Sequence, residues 1–104
     1  MAEPTYPISI STHVLDSAAG GGRTGVGVQV VDSSGLEVAS ALTDESGRIL
    51  ALASGLLPGR YTVRWQLGGS FLIEGSATVE LTEARHYHVP LLASDHSATV
   101  YLGA

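Results

Sequence analysis

Arg60-Tyr61-Thr62-Val63-Arg64-Trp65-Gln66-Leu67 alternates polar and apolar residues without a break. Tyr61, Val63, Trp65 and Leu67 fall on one face of an extended chain, and Arg60, Thr62, Arg64 and Gln66 on the other. A strand that is dry on one side and wet on the other belongs to an antiparallel sheet with one solvated face. Leu57-Pro58-Gly59 turns the chain before this strand, and Gly68-Gly69 interrupts it afterwards.

The same pattern repeats in both directions. Towards the N-terminus, Ile8, Ile10, Thr12 and Val14 share one face of a first strand, and Ser9, Ser11, His13 and Leu15 share the other. Asp16 to Thr24 reads as a loop, and Val26, Val28 and Val30 mark the buried face of a second strand. Asp32-Ser33-Ser34-Gly35 is turn chemistry, followed by a strand around Leu36 to Leu42. A further turn, Thr43 to Gly47, delivers Arg48 to the head of the apolar strand Ile49 to Ala53. Towards the C-terminus, Ala77, Val79 and Leu81 mark another strand, then comes His86-Tyr87-His88-Val89-Pro90-Leu91-Leu92, and Ser94 to Ser97 turns into a last strand through Tyr101. No amphipathic helix stands out. The fold expected is all-β, with about eight strands packed as two four-stranded sheets.

A chain of 104 residues, 44% hydrophobic, is expected to form a single domain over residues 1–104. It contains no cysteine, so disulfides and thiolate zinc sites are out, and Met1 to Ser11 lacks the basic start and apolar core of a secretory signal, so a cytoplasmic location is expected. Five arginines against ten acidic residues leave a net charge of −5, the wrong sign for neutralising phosphates. Nucleic acid and anionic membrane are excluded as partners on that ground, and no apolar run approaches the ~20 residues that span a bilayer.

Two residue types stand where packing gives them no purpose. In the histidine strand, Tyr87, Val89, Leu91 and Ala93 form the core face, whereas His86, His88, Pro90 and Leu92 form the other. Imidazoles gain nothing from burial and titrate near neutral pH. Arg48 likewise has no packing reason to lead an apolar strand. Opening a cyclic amide or imide with water needs a base, an acid and a donor to the developing oxyanion, and two imidazoles with one permanently charged guanidinium are groups of those kinds. The rival use of His13, His86 and His88 is a zinc site, since two histidines two residues apart on a strand can both be ligands. The fixed charge of Arg48 in the same pocket counts against it, so neither metal nor cofactor is expected. His96 lies in a turn, and Arg60 and Arg64 read as a solvated face.

Ser11-Thr12-His13-Val14-Leu15-Asp16, Gly47-Arg48, Gly59-Arg60-Tyr61 and above all His86-Tyr87-His88-Val89-Pro90-Leu91-Leu92 resemble, in order and over nearly the whole chain, the transthyretin family and its 5-hydroxyisourate hydrolase branch. The resemblance implies a transthyretin-like sandwich and a homotetramer with active sites at the dimer–dimer interface. It also implies a small heterocyclic substrate from urate breakdown, with His13, Arg48 and His88 as the catalytic residues. By the same resemblance His86, Pro90, Tyr101, Leu102 and Ala104 contact substrate. This chain departs from the family's Tyr-Arg-Gly-Ser ending with Tyr101-Leu102-Gly103-Ala104, and Gly68 to Gly75 is too short for the helix usual there. Those departures keep two alternatives open: an enzyme acting on another heterocycle, for instance a biosynthetic intermediate, or a non-catalytic binder of small ligands like the family's hormone carrier.

Overall fold

The Tyr61–Trp65 alternation is realised in a strand whose odd residues are buried and whose Arg60, Arg64 and Gln66 are exposed. A computed structural model describes residues 7–103, and no helix occurs among them. The strands are β1 (Ile8–Asp16), β2 (Gly21–Gly22), β3 (Gly27–Asp32), β4 (Glu37–Leu42), β5 (Arg48–Leu56), β6 (Gly59–Gln66), β7 (Glu74–Leu81), β8 (His86–His88), β9 (Leu91–Ala93) and β10 (Ala98–Val100). One sheet is wholly antiparallel in the order β4-β3-β6-β7.

The other sheet is organised around β1, which pairs antiparallel with β5 and parallel with both β8 and β9. Ser9 stands opposite His86, Ser11 opposite His88, Val14 opposite Leu91 and Asp16 opposite Ala93, so β8 and β9 keep one register against β1. They are one strand interrupted at Pro90, which has no N–H to give to the ladder. Val89 still donates to the Ser11 carbonyl at 2.9 Å. With β8 and β9 counted together the sheet runs β5, β1, β8/β9, β10, and the two-residue β2 pairs with the end of β1. The two expected sheets are present, one four-stranded, the other four-stranded with β8 and β9 counted together and extended by the two-residue β2.

The sheets close on Ile8, Ile10, Val14, Val28, Val30, Val63, Trp65, Leu81 and Leu91, all at most 1% exposed. The single tryptophan joins the layers by a polar contact as well as by bulk. Trp65 Nε1 donates to Thr12 Oγ1 at 3.0 Å, and Thr12 Oγ1 donates to the Val89 carbonyl at 2.7 Å. The indole N–H and the hydroxyl are buried without a desolvation penalty because each has a partner. Thr12 thus occupies the core face of β1 between strands of both sheets, and its neighbours Ser11 and His13 are turned to the opposite face. After β6 the chain makes a tight return, Gly69 donating to the Leu72 carbonyl at 3.0 Å and Leu67 to the Ile73 carbonyl at 2.8 Å, with no helix between β6 and β7.

Candidate active site

His13 pairs across the antiparallel ladder with Arg48, and Ser11, two residues earlier on the same face of β1, pairs across the parallel ladder with His88. The first strand therefore places His13, Arg48 and His88 on one face of one sheet. Continuing the β8/β9 register sets Pro90 level with His13, so the interruption in the histidine strand falls beside the catalytic candidate on β1. His13 and His88 are half-buried, and Arg48 is exposed.

Each side chain is held in its own way. His13 Nε2 donates to the Ser46 carbonyl at 2.8 Å, and because a carbonyl only accepts, the proton sits on Nε2 and neutral His13 presents a bare Nδ1. Ser46 is itself fixed: the Asp44 carboxylate accepts from Ser46 N at 2.9 Å, from Ser46 Oγ at 2.7 Å and from Arg48 N at 3.0 Å. One aspartate thus locks the loop that carries both the His13 acceptor and Arg48. The Asp44 pKa is lowered from 3.8, first by the Ser46 hydroxyl and then by the Arg48 amide, so it remains a carboxylate well into acid. Among the described residues no carboxylate forms an ion pair with Arg48, and its guanidinium is available to a ligand.

His88 Nδ1 is bonded to Ser11 Oγ at 2.7 Å, and the same oxygen is 2.7 Å from His86 Nε2. His86 Nδ1 lies 2.6 Å from Ser9 Oγ. The His88 pKa is lowered from 6.5, chiefly by burial and then by repulsion from His13, His86 and Arg48. At neutral pH His88 is a neutral imidazole. The C-terminal tail lies directly on it: Gly103 N donates to the His88 carbonyl at 2.8 Å, and a Cβ at position 103 would stand 2.7 Å from His88 Cδ2. Only glycine allows that approach.

The remaining candidates separate. His86 is joined to the site through Ser11, and Pro90 is buried next to it. Tyr101 and Leu102 line an open apolar cavity of about 370 Å³ with Val79, Leu81, Tyr87 and Val89, on the side of the histidine strand opposite His86 and His88. Ala104 lies outside the described residues. His96, in the β9–β10 turn, meets Phe71 at 5.4 Å between ring centroids and does not join the imidazoles of the site. Sequence reasoning missed Ser11, Ser46 and Gly103. The polar face of β1 held the signal for Ser11, since a serine two residues from a site histidine shares its face. Nothing local signalled the Ser46 carbonyl or the tail crossing. The imidazole-bearing face also exposes Leu50, two residues along from Arg48, and Leu92, which are 73% and 40% exposed. Among the described residues no group of three His, Cys, Asp or Glu side chains is placed to hold a metal ion.

Comparison with known proteins matches residues 10–103 to the model of the HIUase/Transthyretin family. A 5-hydroxyisourate hydrolase from Caulobacter vibrioides is 30% identical over 112 aligned residues, covering 91% of this chain and 97% of the relative. Among solved structures, the 5-hydroxyisourate hydrolase of Klebsiella pneumoniae superposes with a TM-score of 0.84 at 26% identity, covering 92% of this chain and 98% of the other. Sea bream transthyretin, solved in complex with thyroxine, shares the fold with a TM-score of 0.83 at 21% identity, covering 92% of this chain and 95% of the other.

Proposed function

The chain belongs to the HIUase/Transthyretin family, and from that premise we propose that it is a hydrolase that opens a small cyclic amide by His/Arg acid–base catalysis, with 5-hydroxyisourate as substrate. The observation that carries the reading is the meeting of His13, Arg48 and His88 on one sheet face, two imidazoles and a guanidinium with no ion-pair partner among the described residues. Curated relatives named 5-hydroxyisourate hydrolase support the substrate.

In the proposed reaction, the bare Nδ1 of His13 takes a proton from water as its oxygen bonds to the ring carbonyl carbon. Arg48 stabilises the oxyanion that forms, with a charge that no pH in the working range removes. The C–N bond then breaks, and His88 supplies a proton to the departing nitrogen from Nε2, the ring atom that Ser11 does not engage. His86 and Pro90 are the proposed substrate contacts beside these three; Tyr101, Leu102 and Ala104 are proposed contacts from the tail, although within one copy Tyr101 and Leu102 line the cavity behind the histidine strand.

The proposal extends to a single domain over residues 1–104, a cytoplasmic location and a homotetramer with the face of His13, His88 and Leu92 at the dimer–dimer interface. Exposed Leu50 and Leu92 on that face favour coverage by a second copy. No helix of the described residues is long and apolar enough to cross a membrane. Light scattering at micromolar concentration should give a tetramer, and a monomer alone would overturn that part.

The decisive measurement is the ultraviolet decay of freshly generated 5-hydroxyisourate. His13→Ala, Arg48→Ala and His88→Ala should each lower turnover at least about tenfold with circular dichroism unchanged. No acceleration over the spontaneous rate by the unaltered protein would sink the reading. Leu102, an exposed apolar residue of the tail, favours one second reading, an enzyme for a less polar ring. Leu102→Arg combined with Ala104→Ser separates them: a gain on 5-hydroxyisourate of roughly tenfold supports the urate-pathway substrate, since a bond to a charged group contributes about 1.5–3 kcal/mol.

A further inference from the structure

Ser9, His86, Ser11 and His88 form an unbroken chain of short contacts: 2.6 Å from Ser9 Oγ to His86 Nδ1, 2.7 Å from His86 Nε2 to Ser11 Oγ, and 2.7 Å from Ser11 Oγ to His88 Nδ1. The parallel pairing of β1 with β8 creates it, because Ser9 stands opposite His86 and Ser11 opposite His88 with all four side chains on one face. Ser11 is 5% exposed, so bulk water does not compete for its hydroxyl, whereas His86 at the other end of the link is exposed.

A hydroxyl has one proton to give and accepts through its lone pairs. Ser11 therefore donates to one imidazole and accepts from the other. When it donates to His88 Nδ1, His88 carries its proton on Nε2, His86 donates from Nε2, and Ser9 donates to His86 Nδ1. When every bond reverses, His88 Nε2 is bare. The two arrangements differ only in which way the protons lie, and both keep His86 and His88 neutral.

We propose that Ser9, His86, Ser11 and His88 are a proton relay between the active site and solvent, which lets His88 deliver or take a proton at Nε2 without becoming a cation or an anion. The inference rests on the reaction proposed above. As His88 Nε2 gives its proton to the departing nitrogen, the Ser11 proton moves to His88 Nδ1, the His86 Nε2 proton to Ser11 Oγ, the Ser9 proton to His86 Nδ1, and solvent replaces the last. One proton enters from water and one leaves to the product, so that Ser9, His86, Ser11 and His88 end neutral in the reversed arrangement, and the proton that His13 took from the attacking water is released to solvent. The titratable and charged groups facing His88 are His13 on β1, His86 on its own strand and Arg48 on β5, and Arg85 bonds the backbone carbonyl of His86 at 3.0 Å. Burial disfavours a proton on His88 most, and the Arg48 charge opposes it as well. A group so placed is a poor imidazolium, and the relay removes the need for one. Ser11 and His86 are positioning residues for this step, since each acts on the departing nitrogen only through His88.

Nitrogen-15 NMR of the unaltered protein, Ser11→Ala and His86→Ala reads the imidazole tautomers directly, and steady-state kinetics on 5-hydroxyisourate reads the consequence. Both variants should lower kcat about tenfold, in line with the lower range of acid–base contributions, and Ser11→Ala, which removes no proposed substrate contact, should leave KM little changed. Free imidazole should restore turnover to His86→Ala, whose exposed site it can reach, and not to Ser11→Ala. Both substitutions should shift the His88 nitrogen resonances. Unchanged kcat in both variants with active parent protein overturns the relay, and so do His88 resonances indifferent to both substitutions, whatever the activity. If the parent protein does not hydrolyse 5-hydroxyisourate while His88 still responds to both changes, the substrate assignment falls and the hydrogen-bonded relay stands.

Discussion

Asp32-Ser33-Ser34-Gly35-Leu36 and Asp44-Glu45-Ser46-Gly47-Arg48 fold into the same turn. In each, the aspartate Oδ1 accepts from the amide and hydroxyl of the serine two residues on, at 2.9 and 2.6 Å in the first turn and 2.9 and 2.7 Å in the second. Each also accepts the amide four residues on, at 3.1 and 3.0 Å, and each ends with a glycine at positive φ, +90° and +83°. What differs is the surroundings. A Cβ at Gly35 would meet nothing within 4 Å, whereas one at Gly47 would stand 2.5 Å from the Val14 carbonyl and 2.8 Å from Arg23 N. The second turn is pressed against β1, and its Ser46 carbonyl holds His13. One local code thus makes an exposed hairpin in one place and a support for the candidate active site in the other.

The largest expected divergence between the two turns comes from their glycines. Gly35→Ala should cost about 1–2 kcal/mol, the price of a left-handed residue with a side chain. Gly47→Ala bears the same strain and adds a collision with backbone, and should destabilise by more than about 3 kcal/mol. Chemical denaturation of both variants checks this, and equal losses would show that the contact with β1 yields easily.

Asp32→Ala and Asp44→Ala compare the turns without that collision. Thermal melting should fall for both, because each loses the same set of bonds. Only Asp44→Ala should lower kcat, by about tenfold, since displacement of His13 or Arg48 by a fraction of an ångström is felt in the reaction. Equal activity in the two variants would mean that Ser46 and Arg48 hold their places without Asp44.

Between about pH 7 and 5 the turns should stay intact while the site changes. His88 has a folded pKa below 6.5, so on acidification the unfolded chain takes the proton first. Its neutral state favours folding above 6.5; that contribution declines as the pH falls from 6.5 to the lower folded value and then levels off. His88→Ala should flatten the loss of stability in that window in melting scans, and an unchanged slope would show that His88 is not the titrating group.

The smallest effect belongs to the two aspartates in strong acid. Both pKa values lie below 3.8, each lowered first by the serine hydroxyl two residues on. Their contribution to stability is present above 3.8 and is lost as the pH falls through the folded values. Asp32→Asn and Asp44→Asn should each reduce the steepness of acid unfolding below pH 3.8, by similar amounts.

Sequence periodicity carried far for the strands. The alternation in β6, the core faces of β1 and β3 and the two faces of the histidine strand stand as the spacing predicts, because a period of two follows from extended backbone alone. The approach of His13, Arg48 and His88 came from the family resemblance, since the two histidines lie 75 positions apart and no local rule brings them together. The places of Tyr101 and Leu102, lining a cavity behind the imidazole strand, depend on how the tail crosses β8 at Gly103.

The sequence by itself determined which residues face the core, where the turns fall and which ionisable groups were left without a packing role, because backbone geometry and hydrophobic burial act through neighbours in the chain. Only the tertiary structure decided that β1 lies between the Arg48 strand and the histidine strand, with Ser11 level with His88 and His13 level with Arg48. Register between distant strands is set by the joint packing of both sheets on Trp65 and Thr12, and the same packing makes a bridge between imidazoles out of an ordinary serine.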